Sequence, residues 1–178
     1  MTGAVITGWG AALPPQVVTN ADLEARLDTT DAWIRERTGI VERRIGGTTT
    51  GLAVDAGREA MARAGVTGDD IDLVVVCTTT PDRAIPSVAS AVQDALGVAG
   101  GAMDLNAACA GFVYGLVTTF GLLSLGTLRR VLLVGSETLS RVVDWEDRNT
   151  AVLFADGAGA VVLEAVDGPG DLIGFDLG

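Results

Sequence analysis

Asp104-Leu105-Asn106-Ala107-Ala108-Cys109-Ala110-Gly111-Phe112-Val113-Tyr114-Gly115-Leu116 is the stretch from which the fold can be read. It passes from a short apolar strand through a knot of small residues into an apolar helix, the strand-to-helix elbow of a layered α/β fold. The alanines and Gly111 let neighbouring backbone approach closely, as a sharp elbow requires. Cys109 falls at the first turn of the expected helix, in the positive end of its dipole, which favours a nucleophilic thiolate. A buried structural cysteine in a small-residue turn has the same local sequence, so the elbow alone leaves both readings open.

Working outward, Ala102 to Asn106 is the strand that feeds the elbow, and the helix after it runs to about Leu125, closed by Gly126. Leu73-Val74-Val75-Val76-Cys77 is a continuous run of the kind found in a strand buried on both faces, where Cys77 serves as packing. Val131 to Gly135, opened by Arg129-Arg130, is a second such strand. Towards the N-terminus, Ala4 to Gly10 reads as a first strand, and Asn20 as the N-cap of a helix with Leu23 and Leu27 on one face. A further capped helix begins near Thr29 or Thr30, Gly51 to Ala64 is amphipathic with Gly65 as its C-cap, and Pro86-Ser87 opens a helix to about Leu96. Towards the C-terminus, Ala151 to Ala155 and Ala160 to Glu164 read as a hairpin around the glycine turn Asp156-Gly157-Ala158-Gly159, and Asp171 to Leu177 as one more strand. Alternating strands and helices predict helices packed around a mixed sheet.

Composition excludes several chemistries. The 178 residues contain no histidine, so the chain offers no Ser-His or Cys-His pair and no imidazole general base. It contains no lysine either, which removes a Walker A lysine and Schiff-base chemistry. A formal net charge of −11 argues against nucleic acid or an anionic membrane as partner, although Arg26, Arg35, Arg37, Arg43 and Arg44 are grouped closely enough to form a local basic patch. The two cysteines form neither a CxxC pair nor a disulfide framework, and no metal site is expected. No apolar run approaches the roughly 18 residues that span a bilayer and no signal-peptide pattern opens the chain, which together predict a cytoplasmic protein.

Four stretches, in order, carry a resemblance. Asn106-Ala107-Ala108-Cys109-Ala110-Gly111-Phe112 resembles the nucleophile motif of the thiolase-superfamily condensing enzymes, most closely β-ketoacyl-acyl carrier protein synthase III. Thr29 to Arg44 is similar to that family's TSDEWIxxRTGIxxR signature, Asp144 to Thr150 to its DxxDRGT stretch, and Phe154 to Leu163 to its FGDGAGAxVL run. The resemblance implies the first of the two βαβαβ halves of an α-β-α-β-α thiolase-like fold, with residues 1–178 as the N-terminal half and the C-terminal half absent from this chain.

It also implies roles. Cys109 would accept an acyl group from an acyl-coenzyme A, and malonyl-acyl carrier protein would be decarboxylated to attack that acyl group, giving a β-ketoacyl-acyl carrier protein. Coenzyme A would enter only as the thioester substrate, with no resident cofactor. Thr29, Trp33, Arg37 and Arg148 would hold its nucleotide, with adenine stacked between Trp33 and Arg148. Ile85, before Pro86, would reach across a dimer interface to bound the partner's acyl pocket. The glycine that follows the arginine in the family is Asn149 here, which puts the nucleotide side in question. The family's catalytic histidine and asparagine lie in its second half, so the isolated chain is expected not to condense without a continuation or a second chain. A homodimer or a heteromer with a C-terminal-half chain is expected, in fatty acid or polyketide biosynthesis. Two alternatives stand beside this: an acyltransferase or hydroxymethylglutaryl-CoA synthase-like enzyme using the same cysteine, and a non-catalytic scaffolding half-chain.

Overall fold

The computed structural model describes residues 2–177. Along them run β1 (Thr2–Ala12), β2 (Gln16–Thr19), α1 (Asn20–Glu24), α2 (Asp31–Thr38), β3 (Glu42–Ile45), α3 (Thr49–Ala64), β4 (Leu73–Cys77), α4 (Val88–Leu96), β5 (Gly101–Leu105), α5 (Gly111–Ser124), β6 (Arg130–Thr138), α6 (Arg148–Ala151) and β7 (Asp156–Asp167). A five-stranded mixed sheet has the order β1-β7-β6-β4-β5, and β2 and β3 pair separately as an antiparallel ribbon. β4 runs parallel to both β5 and β6, whereas β7 is antiparallel to β6 and to β1.

The unbroken apolar runs follow from burial on both faces. Val74 and Val76 of β4, with Leu132 and Val134 of β6, join a core under α3 and α4. The alternate residues Val75 and Cys77, with Val131 and Leu133, join a second core with Leu116, Phe120 and Leu123 of α5. The period-2 alternation of a strand therefore feeds two cores at once and gives three layers, helices on either side of the sheet.

Two glycines set how closely α3 lies on the edge strand. A Cβ at Gly8 would sit 2.2 Å from the Ala60 carbonyl oxygen, and one at Gly10 2.2 Å from that of Ala56. With Ala56 and Ala60 on the facing surface of α3, helix backbone rests almost directly on strand backbone, which no larger pair of residues permits.

Leu73–Cys77 and the Gly65 C-cap, in the left-handed conformation at φ 69°, stand as the sequence reading has them. Four expectations need correction. The N-cap of α1 is Thr19, which closes a capping box with Asp22, while Asn20 turns inward and is buried. The expected hairpin at Asp156–Gly159 is absent: Asp156 to Asp167 is one strand, because β1 and β6 bond it from both sides along that length. The expected strand at 171–177 is also absent. Asp171 N donates to Ala4 O at 2.9 Å, after which the tail leaves the sheet and the Tyr114 hydroxyl donates to Leu177 O at 3.0 Å. Finally, Cys109 precedes the helix rather than opening it, in a tight 3₁₀ turn over Ala108–Ala110.

Candidate active site

That turn is where β5 hands over to α5. Ala108 has φ 47°, the one positive value on a residue other than glycine among the described residues. A left-handed alanine costs about 1–2 kcal/mol, and such strain gathers where a side chain must be aimed. Here the turn sets Cys109 immediately before the Ala110 N-cap of α5, with its side chain exposed. A Cβ on Gly115 would fall 2.7 Å from Cys77 Sγ and 2.7 Å from Leu133 Cδ1, so the first turns of α5 lie flat on the sheet and its N-terminus is fixed beneath the thiol.

The two cysteines are opposites. Cys77 is 4% exposed, and burial, with the Asp104 carboxylate adding to it, pushes its thiol up from 9.0 to about 11. Cys77 is therefore held as an inert thiol at neutral pH, and Cys109 is the accessible one.

Cys109 opens into a cleft of about 610 Å³ whose apolar walls include Leu13, Phe112, Leu139 and Phe154. Gly157 and Gly159 of β7 line it too, which explains glycine within a continuous strand: a Cβ on Gly157 would stand 3.2 Å from Leu13 Cδ2 and project into the space. The ionisable side chain in the lining besides the two cysteines is Glu137, whose carboxylate accepts from Thr79 N at 2.7 Å and also binds the Thr79 and Thr80 hydroxyls. Glu137 thereby ties the end of β6 to the loop after β4. The apolar lining was not identifiable from the sequence, because it comes from segments far apart in the chain and has no common spacing.

A second cluster gathers around Trp33. Trp33 and Arg37 lie one helical turn apart on α2, and the Arg37 guanidinium carbon sits 4.8 Å from the indole centre. Arg148, at the start of α6, places its own at 5.1 Å while Nη1 donates to Asp28 O at 2.7 Å. Thr29 Oγ1 lies buried with no hydrogen-bond partner among the described residues. The structure thus brings Trp33, Arg37 and Arg148 together beside the Asp28-Thr29 turn, from segments more than 100 residues apart in sequence. Asn149 does not disturb them, because its amide folds back to donate to Asp147 Oδ1 at 3.0 Å, the carboxylate that caps α6.

Much of the grouped arginine charge is already engaged. Arg35 pairs with Asp31 and Arg44 with Glu42, while Arg43 is buried. Ile85 is 87% exposed in the loop before α4 and does not line the Cys109 cleft, so within one chain it joins neither cluster.

Among known proteins, the family model for 3-oxoacyl-[acyl-carrier-protein] synthase III matches residues 103–178. β-Ketoacyl-[acyl-carrier-protein] synthase III 1 of Bacillus anthracis is 53% identical over 177 residues, covering 97% of this chain and 57% of its own length. The chain is similar to the N-terminal half of the β-ketoacyl-acyl carrier protein synthase III enzymes. The crystal structure of the Aquifex aeolicus synthase III superposes with a TM-score of 0.91 at 45% identity, over 93% of this chain and 55% of that one. The priming β-ketosynthase of the R1128 polyketide pathway gives 0.90 at 38%, over 94% and 51%. The chain spans about half the length of the curated relatives it matches. Its sheet and flanking helices are those of the thiolase-like synthase III fold.

Among the described residues no helix is long and apolar enough to cross a membrane.

Proposed function

We propose that the chain carries the acyl-accepting part of a synthase III-type condensing enzyme acting in the cytoplasm. In the first step Cys109 Sγ attacks the thioester carbonyl of an acyl-coenzyme A. The carbon–sulfur bond to coenzyme A breaks, the thiol proton leaves with the coenzyme A sulfur, and the acyl group stays on Cys109. Backbone N–H groups at the α5 start stabilise the charge that develops there. In the second step malonyl-acyl carrier protein loses carbon dioxide and the resulting carbanion takes the acyl group, freeing Cys109 and giving a β-ketoacyl-acyl carrier protein. With no histidine in the sequence, the groups that assist decarboxylation come from a C-terminal half, as a continuation or a second chain.

Coenzyme A binds through its nucleotide on Trp33, with Arg37 and Arg148 as cationic partners and the unpartnered Thr29 hydroxyl as a hydrogen-bonding group for it. Ile85 contributes to an acyl pocket across an interface with a second copy. Supporting a further layer over α5, Val113, Ile173 and Phe175 are apolar and 48%, 98% and 61% exposed.

The observation that carries the proposal is an exposed thiol, mounted on a strained turn at a helix start and facing an apolar cleft, while the other thiol at that cleft is buried. The test is intact mass after incubation with labelled acetyl-coenzyme A or a longer acyl-coenzyme A, with and without a co-encoded second chain. An acyl adduct on Cys109, absent from Cys109→Ala, is expected, followed by turnover with malonyl-acyl carrier protein when the second half is supplied. No adduct in either condition leaves only a scaffolding role; transfer to an alcohol or amine without decarboxylation makes the chain an acyltransferase instead.

A further inference from the structure

Arg43 is a costly side chain to bury. It is 4% exposed, its Nε finds no acceptor, and it makes no ion pair among the described residues. An unpaired buried guanidinium is expensive, and apolar packing of similar volume would fill such a site at less cost. Its remaining bonds account for its presence. Nη1 donates to Val18 O at 3.2 Å, on β2. Nη2 donates to Asn20 Oδ1 at 2.9 Å, on α1, and to Val152 O at 3.3 Å, at the end of α6.

Asn20 extends that reach, because its Nδ2 donates to Asp31 Oδ1 and to Ile40 O, both at 2.8 Å. Those two acceptors lie at the first residue of α2 and just past its end. The guanidinium is thus joined on one side, through Asn20, to the helix that carries Trp33 and on the other to the helix that carries Arg148. Around it an apolar cluster joins these parts, with Leu23, Ile34 and Val152 fully buried and Val18, Leu27, Trp33, Ile40 and Trp145 packed against them. Apolar contacts are non-directional, whereas a rigid planar fork fixes the positions of its acceptors.

Resting on the nucleotide reading of the Trp33 cluster, we infer that Arg43 is a positioning residue that sets the span between Trp33 and Arg148, and so the affinity for the nucleotide end of coenzyme A, without touching the ligand. Arg43→Lys keeps charge and stem but cannot reach three acceptors at once; Arg43→Met keeps volume alone. The titrations use coenzyme A and, separately, adenosine 3′,5′-bisphosphate, which has the nucleotide end without the thiol arm. Both variants are expected to weaken each ligand about tenfold. Alkylation of Cys109 by iodoacetamide, which ignores the nucleotide site, is expected at the wild-type rate. If one variant fails to fold, judged by its circular dichroism, the other is read.

Wild-type protein and Trp33→Ala binding both ligands equally overturns the nucleotide reading itself. A wild type that binds, a Trp33→Ala that does not, and Arg43 variants that bind as wild type overturn the role of Arg43 alone. A fall in Cys109 alkylation that matches the loss of binding makes Arg43 a general structural residue and also overturns the inference.

Discussion

Gly115→Ala tests whether the seat of α5 on the sheet is what aims Cys109. The added carbon would lie 2.7 Å from both Cys77 Sγ and Leu133 Cδ1, against about 3.5–4.0 Å for unstrained contacts, so each gap is short by roughly 1 Å. Cys77 and Leu133 are 4% and 0% exposed, so neither has open space to move into. Overpacking of this kind costs about 1–3 kcal/mol, which for a domain of this size lowers Tm by roughly 2–12 °C. The helix is expected to relieve the contact by lifting its first turns, and a shift of about 1 Å at a reacting group can slow its chemistry by up to ~100-fold. Calorimetry should therefore show a lower Tm, and mass spectrometry a slower acylation of Cys109 by acetyl-coenzyme A, with unchanged affinity for coenzyme A at the separate Trp33 cluster. Adding Cys77→Ala removes one of the two contacts, so part of the loss should return, with a coupling of about 0.5–3 kcal/mol. A Gly115→Ala protein that melts and acylates like wild type would show that α5 is not seated as tightly as these distances require. One that loses coenzyme A affinity in step with acylation would show that the two clusters are not independent.

Two further outcomes follow from the thiols and the indole. Because the folded Cys77 thiol titrates at about 11 rather than 9.0, its contribution to stability is complete below pH 9 and is lost as pH rises through 11. The difference amounts to roughly 2–3 kcal/mol. Urea unfolding between pH 8 and 11 should show this decline, and its disappearance in Cys77→Ala; a decline that persists in that variant would assign it to another group. Trp33→Ala should weaken coenzyme A by about 5- to 150-fold, the range for loss of a base-stacking partner worth about 1–3 kcal/mol. Arg148→Ala should weaken it less, because in the free protein Arg148 already occupies the indole and that contact is given up on binding; equal or larger loss in Arg148→Ala would contradict this ordering.

What could be read from the sequence depended on whether the controlling contacts were local. Leu73–Cys77, the helix cap at Gly65 and the helix start at Pro86-Ser87 were legible because a β-branched run, a capping residue or a proline acts over a few positions. The hairpin at Asp156–Gly159 was misread because glycines normally mark turns, whereas here they leave the wall of the Cys109 cleft bare in a strand that β1 and β6 hold straight. Asn20 was misread for the same reason: it is a good capping residue, but Thr19 and Asp22 already form the box, which frees Asn20 to serve Arg43 at a distance no spacing rule covers. In the candidate site, the resemblance carried Cys109 and Trp33, while Phe154 and Leu13 joined the cleft only once the sheet had brought their segments together.

The distance between Trp33 and Arg148 has a consequence for binding order. A purine between an indole and a guanidinium needs about 3.5 Å on each face, roughly 7 Å in all, yet the Arg148 carbon already stands 5.1 Å from the indole centre. One of the two must move before adenine can enter. Trp33 sits on a helix whose N-cap hydroxyl, on Thr30, accepts from Trp33 N at 3.1 Å, and it packs against the Leu23, Ile34 and Val152 cluster. Arg148 is an exposed side chain held by the indole and by Asp28, through its carbonyl oxygen and an exposed ion pair to its carboxylate at 3.8 Å. The cheaper motion is a rotation of Arg148, which leaves the backbone of α6 tied through Val152 O to Arg43. The span between the helices is then the fixed quantity and the arginine rotamer the adjustable one, so substitutions in the buried frame should change affinity for every nucleotide ligand alike, while substitutions at Arg148 should change mainly how fast they enter and leave.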